Sequence, residues 1–261
     1  MRSAPAHLGG VLLEDLSPRL DRFFQKLRSR EALIAADVDA IRALPFKLRT
    51  LTPSQYMVRE GQLPQRFGII CDGFAYRQKL TIEGDRQIAM ILVPGDMLDL
   101  PNLFLRESDH DIQALTALTM AEVPLEAVRE LVLARPMIAR ALWTDSLVEG
   151  SITREWLLNV GRRNARTRIA HLLCEFQLRL ESIGQGEAEG YELPMTQEQL
   201  GDALGLTPVH VNRMLQSLER EGLIHRRQRR IKVQDWPKLR LAGQFNQRYL
   251  HLTNVKPSAN F

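Results

Sequence analysis

The stretch from Thr196 to Ile224, TQEQLGDALGLTPVHVNRMLQSLEREGLI, holds two helix starts and a tight turn in quick succession, and that order leaves few folds open. Thr196 followed by Gln199 fits a capping box, in which each side chain satisfies an orphan N–H near the other. Leu200, Ala203 and Leu204 then continue a short helix that Gly205 ends. Thr207 caps a second helix, and Pro208 takes its first position, where the missing N–H costs nothing. Three or four residues between the helices are too few for an antiparallel pair in full contact, so they cross sharply. The arrangement is a helix-turn-helix.

Within the second helix, Val211, Met214, Leu215 and Leu218 recur at helical spacing and mark the buried side. The opposite side carries Val209, His210, Asn212, Arg213, Gln216, Ser217 and Arg220, with no acid before Glu219. Such a face tolerates a negatively charged groove: Arg213 matches guanine O6 and N7, Asn212 and Gln216 reach adenine or phosphate, and Val209 suits a thymine methyl. A merely solvated face is the alternative, and the next segment weighs against it. After Gly222, LIHRRQRRIKV reads as two short strands, Leu223 to Arg226 and Arg230 to Val233, folded around Gln228. The tip carries Arg226, Arg227, Arg229 and Arg230 with no acid among them. Phosphates would neutralise that self-repulsion, so the unit reads as a winged helix-turn-helix.

Upstream the pattern changes twice. Leu20, Phe23, Phe24 and Leu27, then Leu33, Ile34, Val38, Ile41 and Leu44, predict two helices ending before Pro45. From Phe46 to about Pro124, short apolar or alternating runs with turns at Gly61, Gly73, Gly84 and Gly95 predict an antiparallel roll of five or more strands. A short helix over Leu125 to Ala134 precedes Pro136, which opens an amphipathic helix of about 25 residues. Its stripe of Ile138, Leu142, Val148, Ile152 and Trp156 must bury itself on a second chain or on the roll, and Asp145 interrupts the seam. Trp143 and Trp156 read as packing between helix and roll. A basic hinge over Gly161 to Arg168 leads to a helix through Ile169, Leu172, Leu173, Phe176 and Leu180, in which Cys174 reads as a buried thiol. The expected fold is α+β in three parts: a sensor domain over 1–135, a dimerisation helix and hinge over 136–162, and a DNA-binding domain over 163–261.

Charge follows this division. From Gly161 onward there are 16 Lys and Arg against 10 Asp and Glu, whereas the preceding part is slightly acidic. Two cysteines supply neither a disulfide framework nor a four-cysteine metal site. The N-terminal MRSAPAHLGGVLLEDL has too short an apolar run for a leader, and no membrane span is visible, so the expectation is a cytoplasmic protein without metal. No phosphate loop, zinc-protease motif or nucleophile elbow occurs, and no enzyme is expected. A ligand-binding module acting through protein contacts is the competing reading.

The motifs GDMLDLPNLF (Gly95 to Phe104), ALTMAEV (Ala117 to Val123), RTRIAHLL (Arg166 to Leu173) and the helix-turn-helix stretch together resemble the cyclic-AMP receptor/fumarate-nitrate regulator (CRP/FNR) family of bacterial transcription factors. The resemblance spans roughly residues 25–235. It implies a cyclic-nucleotide-binding-like roll and a homodimer paired through the long helix. It also implies a palindromic double-stranded DNA site with half-sites about 34 Å apart, and RNA polymerase as a protein partner. Arg213 falls on the family's recognition arginine and Arg168 on one that contacts phosphate; Val209 replaces an acid common in the family. In the ligand pocket, expected around Gly95 and Asp96, the positions that hold cyclic AMP elsewhere carry Leu100, His110 and Asp111. No useful cyclic-AMP binding is expected. The cysteines of iron–sulfur relatives are absent from the N-terminus, and Cys71 or His110 as a haem ligand reads as structural. The effector, if any, stays unassigned.

Overall fold

The computed structural model describes residues 18–186 and 190–252. The stretch read above as no leader, the centre of the loop after Ser182 and the end of the C-terminal tail lie outside the described residues. Two N-terminal helices, α1 (Asp21–Arg30) and α2 (Ala35–Arg42), precede eight strands: β1 (Lys47–Leu51), β2 (Tyr56–Val58), β3 (Arg66–Asp72), β4 (Ala75–Leu80), β5 (Arg86–Leu92), β6 (Met97–Leu98), β7 (Asp111–Ala114) and β8 (Leu118–Pro124). These form two four-stranded sheets, ordered β1-β8-β3-β6 and β2-β7-β4-β5, antiparallel throughout. The strands turn at the glycines picked out by the sequence.

Next come α3 (Leu125–Ala134), the long α4 (Pro136–Arg162) and α5 (Ala165–Ser182). The hinge expected over Gly161 to Arg168 is far shorter: helix continues through Arg162, and Asn164 already caps α5 by accepting from the Thr167 N–H at 3.0 Å. Only Arg163 and Asn164 interrupt the two helices. Beyond lie β9 (Tyr191–Glu192), α6 (Gln197–Leu204), α7 (Pro208–Arg220), β10 (Ile224–Arg227), β11 (Arg230–Val233) and α8 (Trp236–Ala242). The β9 strand joins the edge of the wing through Ile231 and Tyr191; two residues behind a Gly-rich loop gave no periodicity to read.

The α4 stripe packs inward. Ile138, Leu142, Val148, Ile152 and Trp156 are all at most 6% exposed, buried against the roll, α1 and α5 of the same chain. They are therefore not free to form a dimer seam, which corrects the expectation that they would. Trp156 donates its indole N–H to Glu175 of α5 at 3.0 Å. Trp143 meets the roll at Phe104, edge-on with centroids 5.9 Å apart, but is 56% exposed on the outward side of the helix.

Ion pairs within this shared core join the roll to the helical C-terminal part of the chain. Asp96, in the turn between β5 and β6, accepts from Lys26 of α1 at 2.8 Å and from Arg179 of α5 at 2.9 Å, and from the Val93 N–H at 2.8 Å. Lys26 also lies 2.7 Å from Asp145, which Arg30 approaches at 3.1 Å. Burial opposes charge on Asp96, but Lys26 and Arg179 outweigh it and hold the carboxyl below the usual range. Burial likewise opposes charge on Lys26, yet Asp145 and Asp96 keep its ammonium well above the ordinary value. Replacing Asp96 by alanine removes the near counterion of buried Arg179 and leaves Lys26 to Asp145 alone, so a loss of about 3–5 kcal/mol is expected from urea unfolding. Because its folded pKa is depressed, the stability Asp96 contributes is present above the ordinary carboxylate pKa of about 3.9 and is lost as pH falls through the folded value. The variant should lack that acid limb; a loss below about 1 kcal/mol would mean the ion pairs do not brace the two domains.

Candidate nucleic-acid interface

The turn between α6 and α7 is fixed locally. Thr196 accepts from the Gln199 N–H at 3.1 Å, and Gln199 returns the bond to the Thr196 N–H at 2.9 Å, completing the capping box. Gly205 closes α6 with φ +62°, and a Cβ on Gly201 would sit 2.4 Å from the Leu206 carbonyl, so the crossing depends on both glycines. Thr207 caps α7 by accepting from the His210 N–H at 3.3 Å. Val211, Leu215 and Leu218 are buried, and Met214 packs beside them.

On the outer side Val209 is 77% exposed, and His210, Arg213 and Gln216 are exposed with it. Asn212 is half-buried at the edge of the same face. Ser217 belongs less fully to it, because its hydroxyl donates to Glu221 at 3.0 Å, and Glu221 is held in turn by Arg166. The structure thus presents Val209, His210, Arg213 and Gln216 together, at the N-terminal and middle turns of a 13-residue helix.

Two expected phosphate contacts are engaged elsewhere. Arg168 folds onto the chain: its Nε donates to the Arg163 carbonyl at 2.8 Å and its Nη1 to the Leu204 carbonyl at 2.8 Å. A cation against the C-terminal carbonyls of α6 meets both their lone pairs and the helix dipole, so Arg168 pins the turn. In the wing, Arg226 pairs with Glu219 at 3.2 Å, and its own N–H donates to the same carboxylate at 2.9 Å. These bonds hold Glu219 below the usual glutamate range, the backbone N–H contributing most. Arg227, Arg229 and Arg230 remain exposed around the Gln228 turn, where φ is +57°. Charge counting sees the arginines but not the carboxylate seven residues upstream that folds back onto one of them.

The residues expected around a ligand are each engaged within the chain. Asp96 is consumed by the ion pairs above, Gly95 turns against α1, and Leu100 is buried, in a turn that contacts α3 and α4. His110 lies between Asp99 at 2.9 Å and Asp109 at 2.7 Å. Asp111 accepts from the Glu60 N–H at 2.9 Å and from Gln78 at 3.2 Å. A cavity of about 220 Å³ within the roll is bordered by Arg49, Asp99 and Glu122, but not by Leu100, His110 or Asp111. A larger cleft of about 910 Å³ between the domains is bordered by Asp96, Asp145, Glu149 and Arg179. Burial pushes the Cys71 thiol up to about 11 and the Cys174 thiol higher still. Among the described residues no group of three His, Cys, Asp or Glu is placed to hold a metal ion, and no helix is long and apolar enough to cross a membrane.

Two family models match the chain: a cyclic nucleotide-binding domain over residues 48–135 and a Crp-like helix-turn-helix domain over 167–242. The nitrogen fixation regulation protein FixK of Bradyrhizobium diazoefficiens is 32% identical over 167 residues, covering 63% of this chain and 68% of that protein. The transcriptional activator protein FnrL of Cereibacter sphaeroides is 29% identical over 179 residues, 67% of this chain and 71% of its own. The solved structure of FixK2 from Bradyrhizobium japonicum superposes with a TM-score of 0.71 at 24% identity, over 76% of this chain and 98% of that one, and shows the same fold. A winged reader with an outward basic helix, joined to a cyclic-nucleotide-type roll and carried by relatives that regulate transcription rather than catalyse, places this chain in the CRP/FNR family of bacterial transcription regulators.

Proposed function

We propose that the chain acts as a homodimer on a two-fold symmetric DNA site, with α7 in the major groove and the wing on the flanking phosphates. The observation that carries this reading is the exposed run of Val209, His210, Arg213 and Gln216, free of acids before Glu219, together with an exposed cationic wing tip at Arg227 and Arg229. Arg213 supplies the bidentate contact to guanine, and Val209 packs on a thymine methyl in place of an acid reaching cytosine. RNA polymerase is the protein partner expected of a regulator bound beside a promoter.

Dimerisation is assigned to the outer face of α4. Trp143, Leu147, Leu157 and Leu158 are 46–74% exposed and lie on the side opposite the buried stripe, with Gly150 near the middle of the face. From Trp143 to Leu158 they cover about 22 Å of helix, and a second copy of the same face would bury them by two-fold symmetry. Charged substitutions of both Leu147 and Leu158, to arginine, should convert the dimer to monomer in sedimentation equilibrium. Retention of the dimer would overturn this face.

The roll is assigned no useful affinity for cyclic AMP. Leu100 cannot accept from a ribose hydroxyl, and Asp111 presents a carboxylate where a cyclic phosphate would need cations. The cavity of about 220 Å³ falls below the usual range for a ligand of that size.

Fluorescence anisotropy on duplexes selected by the protein from random sequence tests the whole reading across a salt series. Arg213→Ala should cost about 1–3 kcal/mol and relax discrimination at one base position of each half-site. Replacing both Arg227 and Arg229 with alanine should weaken all sequences alike and flatten the salt slope by about two per subunit. Added cyclic AMP should shift neither curve. Affinity unchanged by Arg213→Ala would sink the recognition-helix assignment.

A further inference from the structure

Both family-type domains are complete by Ala242, yet the chain continues, and its next residues are built into the core. Phe245 and Leu250 are 6% and 2% exposed, and the turn Gln247–Leu250 packs along α4. Phe245 meets the rings of His171, Trp236 and Tyr249, and Tyr249 stacks on His171. A Cβ on Gly243 would lie 2.8 Å from the His171 backbone N, so glycine permits the close approach to α5. At the far end the His251 carbonyl accepts from Arg30 of α1 at 2.9 Å. The segment therefore touches the DNA-binding domain, the long helix and the sensor domain at once.

Its polar anchor is a chain of hydrogen bonds. Glu175 and the Tyr249 hydroxyl are 2.7 Å apart, that hydroxyl is 3.0 Å from His171 Nε2, and His171 Nδ1 is 3.1 Å from the Gly243 carbonyl. Three links need three protons. The tyrosine hydroxyl provides one and a neutral imidazole another, while the carbonyl provides none. One further proton must reside on Glu175 or His171 for every link to form.

The surroundings decide between them. Glu175 and His171 are each 1% exposed. Burial, with Arg163 nearby, pushes the His171 ring down to about 4, whereas burial pushes the Glu175 carboxyl above its usual range. The other groups facing the chain are Arg179, 3.6 Å from Glu175 and paired with Asp96, the Trp156 indole on both Glu175 oxygens at 3.0 Å, and Glu155, 3.7 Å from His171 and paired with Arg163 at 2.6 Å. Each cation near the chain already has a carboxylate partner elsewhere. With that proton on Glu175, the carboxyl donates to Tyr249, Tyr249 to His171 and His171 to the Gly243 carbonyl, and every link is formed.

We propose that residues 243–252 form an intramolecular strap that sets the orientation of the helix-turn-helix against the long helix, and that the strap is fastened by a protonated Glu175 acting through Tyr249 and His171. Tyr249 and Glu175 are thus positioning residues for DNA binding, remote from the groove. Docking and protonation of Glu175 support each other: its contribution is complete below the ordinary glutamate pKa of about 4.3 and is lost as pH rises through the raised value, while His171, held near 4, opposes docking as pH falls below about 6.5. This goes beyond the dimeric reading above and rests on it.

Tyr249→Phe and Glu175→Gln in the full chain separate the outcomes. Glutamine can donate to Tyr249 at every pH while still accepting from Trp156. Amide exchange protection over 243–252 is measured alongside affinity for a selected two-half-site duplex and for a single half-site. Tyr249→Phe should lower protection and two-site affinity about tenfold while leaving half-site affinity within about twofold. Glu175→Gln should keep both near wild type and remove the loss of protection that the wild type shows as pH rises above the ordinary glutamate value of about 4.3. Equal losses on both duplexes, or no loss on either, would overturn the positioning role. A wild-type pH dependence surviving in Glu175→Gln would overturn the placement of the proton. Failure of the dimeric reading shows itself separately, as wild-type protein gaining nothing from the second half-site.

Discussion

The rest of the structure depends on α4 having to bury an apolar stripe along 27 residues, about 40 Å of helix. A helix of that length is held by packing rather than propensity, and no single neighbour is long enough to cover it. The roll and α1 cover its N-terminal half, and α5 with the C-terminal segment covers the rest. One continuous hydrophobic core consequently runs from Leu92 and Ile112 in the roll, through Val148, Ile152 and Trp156, to Ile169 of α5 and Leu215 on the inner side of α7. Sensor and reader are not beads on a rod; moving one against the other exposes side chains that are at most 6% accessible.

Charges inside that core perform a different task. Lys26, Arg30 and Arg179 face Asp96 and Asp145, drawn from α1, the β5–β6 turn, α4 and α5. Desolvation cancels much of what such pairs gain, so their net contribution over apolar packing is small. What they impose is register. A hydrophobic surface tolerates sliding by an ångström or two, whereas sliding Arg179 away from Asp96 leaves a buried cation without a counterion. Packing supplies the adhesion between the domains, and the ion pairs select one alignment from those that packing alone would accept.

Legibility in the sequence followed the range of the interactions. The helix-turn-helix could be read because its determinants are local: Thr196 with Gln199, Gly205, and Thr207 with Pro208 each act within a few residues. The roll was legible as strands and turns for the same reason. The α4 seam was not, because the helix is apolar on two opposite sides; periodicity finds Ile138, Leu142, Val148, Ile152 and Trp156 but cannot say whose core they enter. Trp143 and Leu147, on the other side, are as hydrophobic and stay exposed. Arg168, Arg226 and Asp96 illustrate a second limit. Each has the right charge at a position where a ligand or phosphate could use it, and each is engaged by groups of the chain itself. The tail was opaque because its anchor, Tyr249 on Glu175, joins residues far apart in sequence.

The same reasoning bears on how a signal could act. Driving a two-state orientation from 1:99 to 99:1 requires about 5.5 kcal/mol of differential binding. An effector enclosed by the small cavity beside Asp99 and Glu122 would touch neither the Asp96 ion pairs nor the Tyr249 anchor, so its binding energy would have no lever on the domain interface. Uncoupling a single buried ion pair costs about 3–5 kcal/mol, comparable to the whole shift. Control over this chain's geometry is therefore concentrated where α1, the β5–β6 turn, α5 and the C-terminal segment meet. A ligand, a proton or a partner that alters those contacts can reorient the reader, and one that leaves them intact cannot.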